Sequence, residues 1–282
     1  MHKKLAVIFL SCFFIILFCA IAFFAQAKKE KLEIDFLDVG MGDGILIKTP
    51  FNQNILIDGG PDNAILRRLG ENMPFFDRTI DLMILSHPHD DHLVGQVEVL
   101  KRYKVNQIIY TGAENNSPAY DEWKALVQEN NIPVIIIDRP QKIILGPECE
   151  LEVLYPDENF SGRGMENINN SSIVARLVYK NNKFLFVGDA ETEIEKKVLS
   201  KKLDLAADVL KVAHHASDTA TSEDFLEKVK PKIAIISVNK NDFGLPSIRV
   251  LKRLERHSVK VYQTDQNGTI KIASDGQNLE VK

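Results

Sequence analysis

One stretch of the chain is dense in metal-binding residue types: Ser86-His87-Pro88-His89-Asp90-Asp91-His92. Three histidines and two aspartates fall within six positions. A neutral imidazole offers nitrogen to zinc-like cations, and a carboxylate offers oxygen. In an extended segment residues two apart point the same way, so His87 and His89 can hold one cation together. Asp91 and His92 are adjacent, where the chain turns into a helix, and would face a second cation. A solvated polar loop with chance histidines is the bland alternative, and the His-x-His-x-Asp-His spacing is too specific for it. A second place, His214-His215, raises the count to five of the chain's seven histidines.

Periodicity and turn chemistry predict the elements that carry these groups. Strands are expected at 33–38, 44–48 and 54–58, then at 82–86, directly before the His-rich stretch. A short helix capped by Asp62 ends at Gly70, and a helix follows the His-rich stretch over about 93–103. A strand at 107–110 leads to a helix opened by Ser117 and Pro118, with serine as cap and proline at the first position. Further strands are expected at 134–138, 142–145, 151–155, 172–179 and 183–188, then a helix over 191–202. The last part alternates: strand 208–213, helix 222–229, strand 233–238, helix 247–256, strands 260–264 and 269–273. Residues 156–171, rich in Asn and Gly, form the longest irregular stretch, and such loops are often functional. Two β-rich halves with helices outside imply a layered α/β sandwich.

The whole chain has 282 residues, 45% hydrophobic and 26% charged, with a net charge of −4. That composition excludes a disordered, collagen-like or coiled-coil chain. It does not support a basic nucleic-acid clamp. The first residues read as a separate segment. His2, Lys3 and Lys4 form a basic head, and residues 5–25 are an uncharged apolar run. At ~1.5 Å per residue the run reaches about 31 Å, enough to span a bilayer. It ends Ala25-Gln26-Ala27, a peptidase-like site, so residues 1–27 are expected to be a signal peptide or an N-terminal membrane anchor. The rest, 28–282, is then exported, secreted or held on the outer face of a bacterial membrane. Without residues 1–27, which hold Lys3 and Lys4 and no acid, the net charge is −6. Only Cys149 remains in that part, so it has no internal disulfide.

The motifs resemble those of a known family. His-x-His-x-Asp-His after a strand is similar to the metallo-β-lactamase superfamily. Phe36-Leu37-Asp38-Val39-Gly40-Met41-Gly42-Asp43-Gly44, Leu56-Ile57-Asp58-Gly59-Gly60-Pro61, Val187-Gly188-Asp189 and Leu210-Lys211-Val212-Ala213-His214-His215-Ala216-Ser217 stand in the order of the C-terminal domain of ComEC competence proteins. The likeness runs from about residue 36 to 270, without the many-helix channel of those proteins. It implies a four-layer αββα sandwich over 28–282 and two divalent cations. Zn2+ suits the His-rich positions, with Mn2+ the alternative. His87 and His89 match ligands of the first metal, Asp91 and His92 those of the second, and Asp189 the carboxylate that bridges them. Asp91 is also placed to orient the attacking water. Of the histidine pair, His215 is favoured as ligand and His214 as a donor to a phosphate oxygen. His214 or Ser217 could stabilise the departing oxygen. Asp58 matches a support of the metal loop, and Asp38 and Asp43 shape the loop beside the metals.

This chain departs from the family pattern in places. The segment that gives many relatives another histidine reads Asn167-Ile168-Asn169-Asn170-Ser171-Ser172, and Asn170 and Ser171 are expected to support the loop instead. Leu245 stands where relatives commonly have His, Met41 where they have Gln, and Ala216 where they have Gly. The resemblance implies a metallo-hydrolase acting on a phosphodiester, perhaps DNA in competence. A cell-envelope phosphoester is the alternative substrate, and a non-catalytic metal-binding scaffold is the alternative of another class. A redox di-iron protein would place a carboxylate where His89 stands. Lys201, Lys202, Arg249, Lys252, Arg253 and Arg256 are the candidates for a local nucleic-acid patch, or else a solvated helix face. No obligate protein partner is evident.

Overall fold

The computed structural model describes residues 14–16 and 31–282. The segment expected over 5–25 therefore lies almost wholly outside the described residues. Among those described, no helix is long and apolar enough to cross a membrane.

The strands alternate sides strictly, and that alternation builds the layers. In β2 (Ile45–Lys48), Ile45 and Ile47 face one core while Leu46 faces another. In β12 (Asn182–Phe186), Phe184 and Phe186 face the first core and Leu185 a third. The first core lies between two sheets. The eight-stranded sheet has the order β17 (Leu279–Val281), β16 (Ile270–Ser274), β1 (Leu32–Phe36), β2, β3 (Asn54–Ile57), β5 (Leu82–Ile84), β7 (Ile108–Tyr110) and β8 (Val134–Ile136), and the seven-stranded sheet the order β15 (Lys260–Gln263), β14 (Ile233–Ile236), β13 (Val209–Lys211), β12, β11 (Val174–Tyr179), β10 (Cys149–Tyr155) and β9 (Gln141–Gly146). Helices α1 (Ala64–Asn72), α2 (Asp90–Leu100) and α3 (Pro118–Glu129) cover the outer face of the first sheet through Ile65, Leu69, Leu93, Val97, Tyr120 and Trp123. Helices α4 (Thr192–Ser200), α5 (Glu223–Val229) and α6 (Ile248–Arg256) cover the second through Ile194, Val198, Phe225, Leu226, Val250 and Leu254. This is the four-layer αββα sandwich. All three cores close within residues 31–282, which gives that span the means to fold by itself.

Most expected elements occur with ends shifted by one to three residues. Helix α2 is an instructive shift: it begins at Asp90, inside the His-rich stretch. Asp90 and Asp91 occupy its first turn, where carboxylates favour the positive end of the helix dipole. The short pair β4 (Thr79–Ile80) and β6 (Lys104–Val105) has too few residues to show a period.

In the first sheet β1 (Leu32–Phe36), β3 (Asn54–Ile57) and β5 (Leu82–Ile84) run the same way. Each delivers a site loop at its C-terminal end: 37–44, 58–60 and 85–89. The second sheet delivers 187–189 after β12, 212–217 after β13 (Val209–Lys211) and 237–246 after β14 (Ile233–Ile236). The two sets meet at one end of the sandwich.

Candidate metal centre

Asp58 is the scaffold of the His-rich loop. It sits just past β3 with φ +57°. One carboxylate oxygen accepts the Ser86 N–H at 2.8 Å; the other accepts the Ser86 hydroxyl at 2.7 Å and lies 2.8 Å from His92 Nδ1. A histidine donating Nδ1–H to a carboxylate presents Nε2 with its lone pair. The Gly-rich loop 37–44 packs tightly here: a Cβ on Gly42 would lie 2.1 Å from the Asp91 carbonyl oxygen, so only glycine allows the approach.

Two groups of ligand atoms converge. In the first, His87 Nε2 lies 3.0 Å from His89 Nδ1. In the second, one oxygen each of Asp91 and Asp189 and one nitrogen each of His92 and His215 lie within 4.8 Å of one another. His215 Nε2 is 3.1 Å from Asp91 Oδ2, and its Nδ1 is fixed 2.8 Å from the Ser237 carbonyl. Asp189 Oδ2 stands between the groups, 4.0 Å from His87 Nε2, 3.4 Å from His92 Nε2 and 3.6 Å from His215 Nε2. Ligands at ~2.05 Å in a tetrahedron are separated by about 3.3 Å, so these spacings fit cations held between the side chains.

Unmet polar atoms support the same reading. His92 Nε2, Asp189 Oδ1 and Asp43 Oδ1 are buried without a hydrogen-bond partner. Such orphans are rare and need an explanation, of which an ion is one. The electrostatics agree. Burial, aided by His92, holds His87 well below the ordinary imidazole range, in its neutral ligand form. Burial lowers His89 too. For His92 burial also acts downward, but Asp189, Asp91 and Asp58 outweigh it and hold the ring well above that range. His215 is raised against its burial by Asp189 and Asp91. Burial would raise Asp91 and Asp189, yet the facing imidazoles keep both below the usual carboxylate range. The cluster thus gathers negative charge that protonated imidazoles answer, and divalent cations would displace those protons. The residues present fit two such cations: His87 and His89 on one side, Asp91, His92 and His215 on the other, Asp189 common to both.

His214 and His215 do not end a strand. β13 stops at Lys211, and His214, His215 and Ala216 follow with φ of +48°, +51° and +64°. Three consecutive non-glycine residues in this region are strained, by about 1–3 kcal/mol each. The turn points His215 inward and leaves His214 on the wall of the cavity. His214 Nδ1 lies 3.1 Å from Thr219 Oγ1 and 3.4 Å from Glu191 Oε1. Ser217 lines the same cavity and pairs with Thr219 at 3.1 Å.

The other expected supports act at different distances. Asp43 is buried and ion-paired with Lys211 at 2.8 Å, with His215 Nδ1 at 3.7 Å. Asp38 faces away; it pairs with Arg68 of α1 and pins the start of its loop. Asn170 bonds Glu193 of α4 at 3.0 Å, and the Ser171 hydroxyl donates to the Ile168 carbonyl at 2.7 Å. They hold the loop, while their neighbours reach the cluster. Ser172 Oγ accepts the Asp189 N–H at 3.0 Å, and Asn169 lines the cavity. Sequence reasoning missed Asn169, Ser172, Ser86 and Lys211. Lys211 carried a signal, a lysine inside an apolar strand just before the histidine pair. The expected nucleic-acid patch is largely neutralised: Lys201 pairs with Asp157 at 2.7 Å, Arg249 with Asp218 at 2.8 Å, and Arg253 and Arg256 with Glu223 at 3.7 and 2.6 Å.

Above the cluster lies a cavity of about 640 Å3. Its floor is His89, Asp91, Asp189 and His215, and Met41, Pro61, Phe243 and Leu245 give it an apolar wall. Asn241 shapes that wall, accepting the N–H groups of Phe243 at 3.0 Å and Leu245 at 3.1 Å.

The chain is 31% identical over 267 residues to ComE operon protein 3 of Bacillus subtilis, covering 88% of this chain and 34% of that protein. It is 29% identical over 290 residues to Recombination protein 2 of Haemophilus influenzae, covering 97% of this chain and 33% of that protein. The chain thus spans about a third of the length of these relatives. Among solved structures, the metallo hydrolase Igni18 of Ignicoccus hospitalis shares the fold, with TM-score 0.56 and 13% identity over 85% of this chain and 98% of that one. The family model of the metallo-β-lactamase superfamily matches residues 37–238, and the chain belongs to that superfamily.

Proposed function

We propose that the protein is a metal-dependent hydrolase of phosphodiesters, with a nucleic-acid strand as the first substrate to test. One observation carries this reading: the ligand atoms of His87, His89, Asp91, His92, Asp189 and His215 converge, and four of these side chains, His89, Asp91, Asp189 and His215, line a cavity open to substrate. The name of the Haemophilus relative, Recombination protein 2, favours a nucleic acid.

Two divalent cations, when bound, would polarise a phosphoryl oxygen and bring a water towards a pKa of ~7. The protein's own groups do the rest. Asp91, on the first turn of α2, orients the water. Asp58 and Ser237 fix the rings of His92 and His215 so that each offers Nε2 to the centre. His214, anchored through Nδ1, presents its other nitrogen to the leaving oxygen, with Ser217 beside it. The apolar wall takes the non-phosphate part of the substrate and keeps water from that side, which strengthens every charge interaction below it.

A small phosphoester of the cell envelope is the second reading. It is favoured by the pairing of Lys201, Arg249, Arg253 and Arg256 with carboxylates, which leaves them little charge to track a long polyanion. Turnover of bis-p-nitrophenyl phosphate, of a single-stranded oligonucleotide and of a choline phosphodiester, each beside Asp189→Ala, tests both. Cleavage of the oligonucleotide supports the first reading. Cleavage of the choline ester alone supports the second. Inert protein with full metal would remove the hydrolase reading.

A further inference from the structure

The end of the sandwich opposite the metal centre presents two aromatic side chains to solvent. Phe75 and Phe76, in the turn after α1, are 86% and 77% exposed. Their rings pack edge to face with centroids 5.6 Å apart, so they form one apolar tip. Exposed large apolar residues that touch one another mark a surface with a partner.

The fold tells which end this is. Glu33, Lys48 and Asn54 lie in register across β1, β2 and β3, and all three sit at the end where β1 and β3 begin. Lys48 pairs with Glu33 at 3.0 Å and donates to the carbonyl of Asn72, the last residue of α1, at 3.3 Å. Asn54 Nδ2 donates to Asp77 at 2.8 Å. Phe75 and Phe76 fall between Asn72 and Asp77. The aromatic tip therefore stands where the chain enters the fold at Leu32, directly after Lys28, Lys29 and Lys31. The site loops leave the other ends of β1, β3 and β5.

Two cations stand beside the tip. Arg78 is exposed, with its guanidinium 5.3 Å from the Tyr103 ring centre, and Lys104 is exposed in β6, in register with Thr79. Neither makes an ion pair among the described residues. Of the nearby acids, Glu71 pairs with Arg68 and Glu33 with Lys48, while Asp77 and Asp81 accept hydrogen bonds from the neutral groups of Asn54, Thr79 and Asn106 and form no ion pair with Arg78 or Lys104. Aromatic rings flanked by unpaired cations are the chemistry of a lipid interface, where rings enter the headgroup region and cations meet lipid phosphates.

We propose that this end, through Phe75, Phe76, Arg78 and Lys104, docks on an anionic bilayer surface, and that the metal centre consequently faces away from the membrane. The inference is independent of the reaction catalysed at the other end. An apolar run at residues 5–25 that enters the bilayer would make this end a second contact, since a tether raises the effective concentration of a weak surface contact.

The test uses residues 28–282, so that any binding belongs to the folded part. Co-sedimentation with phosphatidylglycerol vesicles and with phosphatidylcholine vesicles should show binding to the first, weakened by salt. F75S/F76S should lose about tenfold or more in binding to phosphatidylglycerol. R78Q/K104Q should lose about 25-fold, at roughly fivefold per basic residue. Far-UV circular dichroism and melting temperature should match the parent in both, because the replaced side chains are exposed. No binding to phosphatidylglycerol at low salt would overturn the proposal, as would equal binding to both lipids or binding indifferent to F75S/F76S. Concentration-dependent dimers in free solution that F75S/F76S abolishes, without vesicle binding, would assign the tip to a second copy of the chain and also overturn it.

Discussion

The two ends of β1, β3 and β5 treat charge in opposite ways. At the beginning of these strands the acids have partners: Glu33 and Asp35 share Lys48, and Asp77 and Asp81 accept hydrogen bonds from Asn54. At the other end Asp91 and Asp189 lie among His92 and His215, with their ligand atoms within 4.8 Å of one another. The same strands and the same helix layer support both ends. Gathering so many buried ionisable groups in one place is costly to stability, which marks the histidine-rich end as the one shaped for a ligand.

That contrast can be broken or sharpened by substitution. Asp189→Ala removes the carboxylate common to both ligand groups. Turnover of bis-p-nitrophenyl phosphate should fall by at least about a thousandfold, and elemental analysis should show metal lost. Lys211→Met leaves Asp43 buried without its cation, which should cost about 3–5 kcal/mol in chemical unfolding. Lys211→Met that unfolds like the parent would mean Asp43 is answered from elsewhere. Asp58→Asn keeps the volume but weakens the grip on His92 and Ser86, and should lower metal affinity ten- to a hundredfold in a chelator competition. At the opposite end, Asp77→Ala removes the acceptor of Asn54. It should cost about 1 kcal/mol, seen as a melting shift of a few degrees, with metal content unchanged. Metal lost from Asp77→Ala would break the separation of the two ends.

How much of this was legible in the sequence follows from how local each feature is. The His-rich stretch is contiguous, so its ligands can be read from spacing, and its preceding strand from an apolar run. Asp189 and His215 lie about a hundred residues and more from it, and only motif resemblance joins them. Their placement needs the seven-stranded sheet to meet the eight-stranded one, which no local period encodes. Lys211 and Asp43 are 168 residues apart in the chain and are paired by the same meeting. The loop at 167–172 was singled out, yet the reaching residues are Asn169 and Ser172, flanking the two expected ones. In a short 3-10 turn, side-chain direction changes with each residue, so sequence locates the loop but not the face. The start of α2 at Asp90 departs from the expected 93 because histidine and aspartate look like loop, while the helix dipole favours Asp90 and Asp91 there.

The central claim is that the six converging side chains hold two divalent cations. It is tested most directly by elemental analysis of residues 28–282 after loading with Zn2+ or Mn2+ and exhaustive dialysis, beside Asp189→Ala. About two metal ions per chain are expected, with a clear loss in the variant. A parent that retains no metal, or a variant that retains as much as the parent, would contradict it.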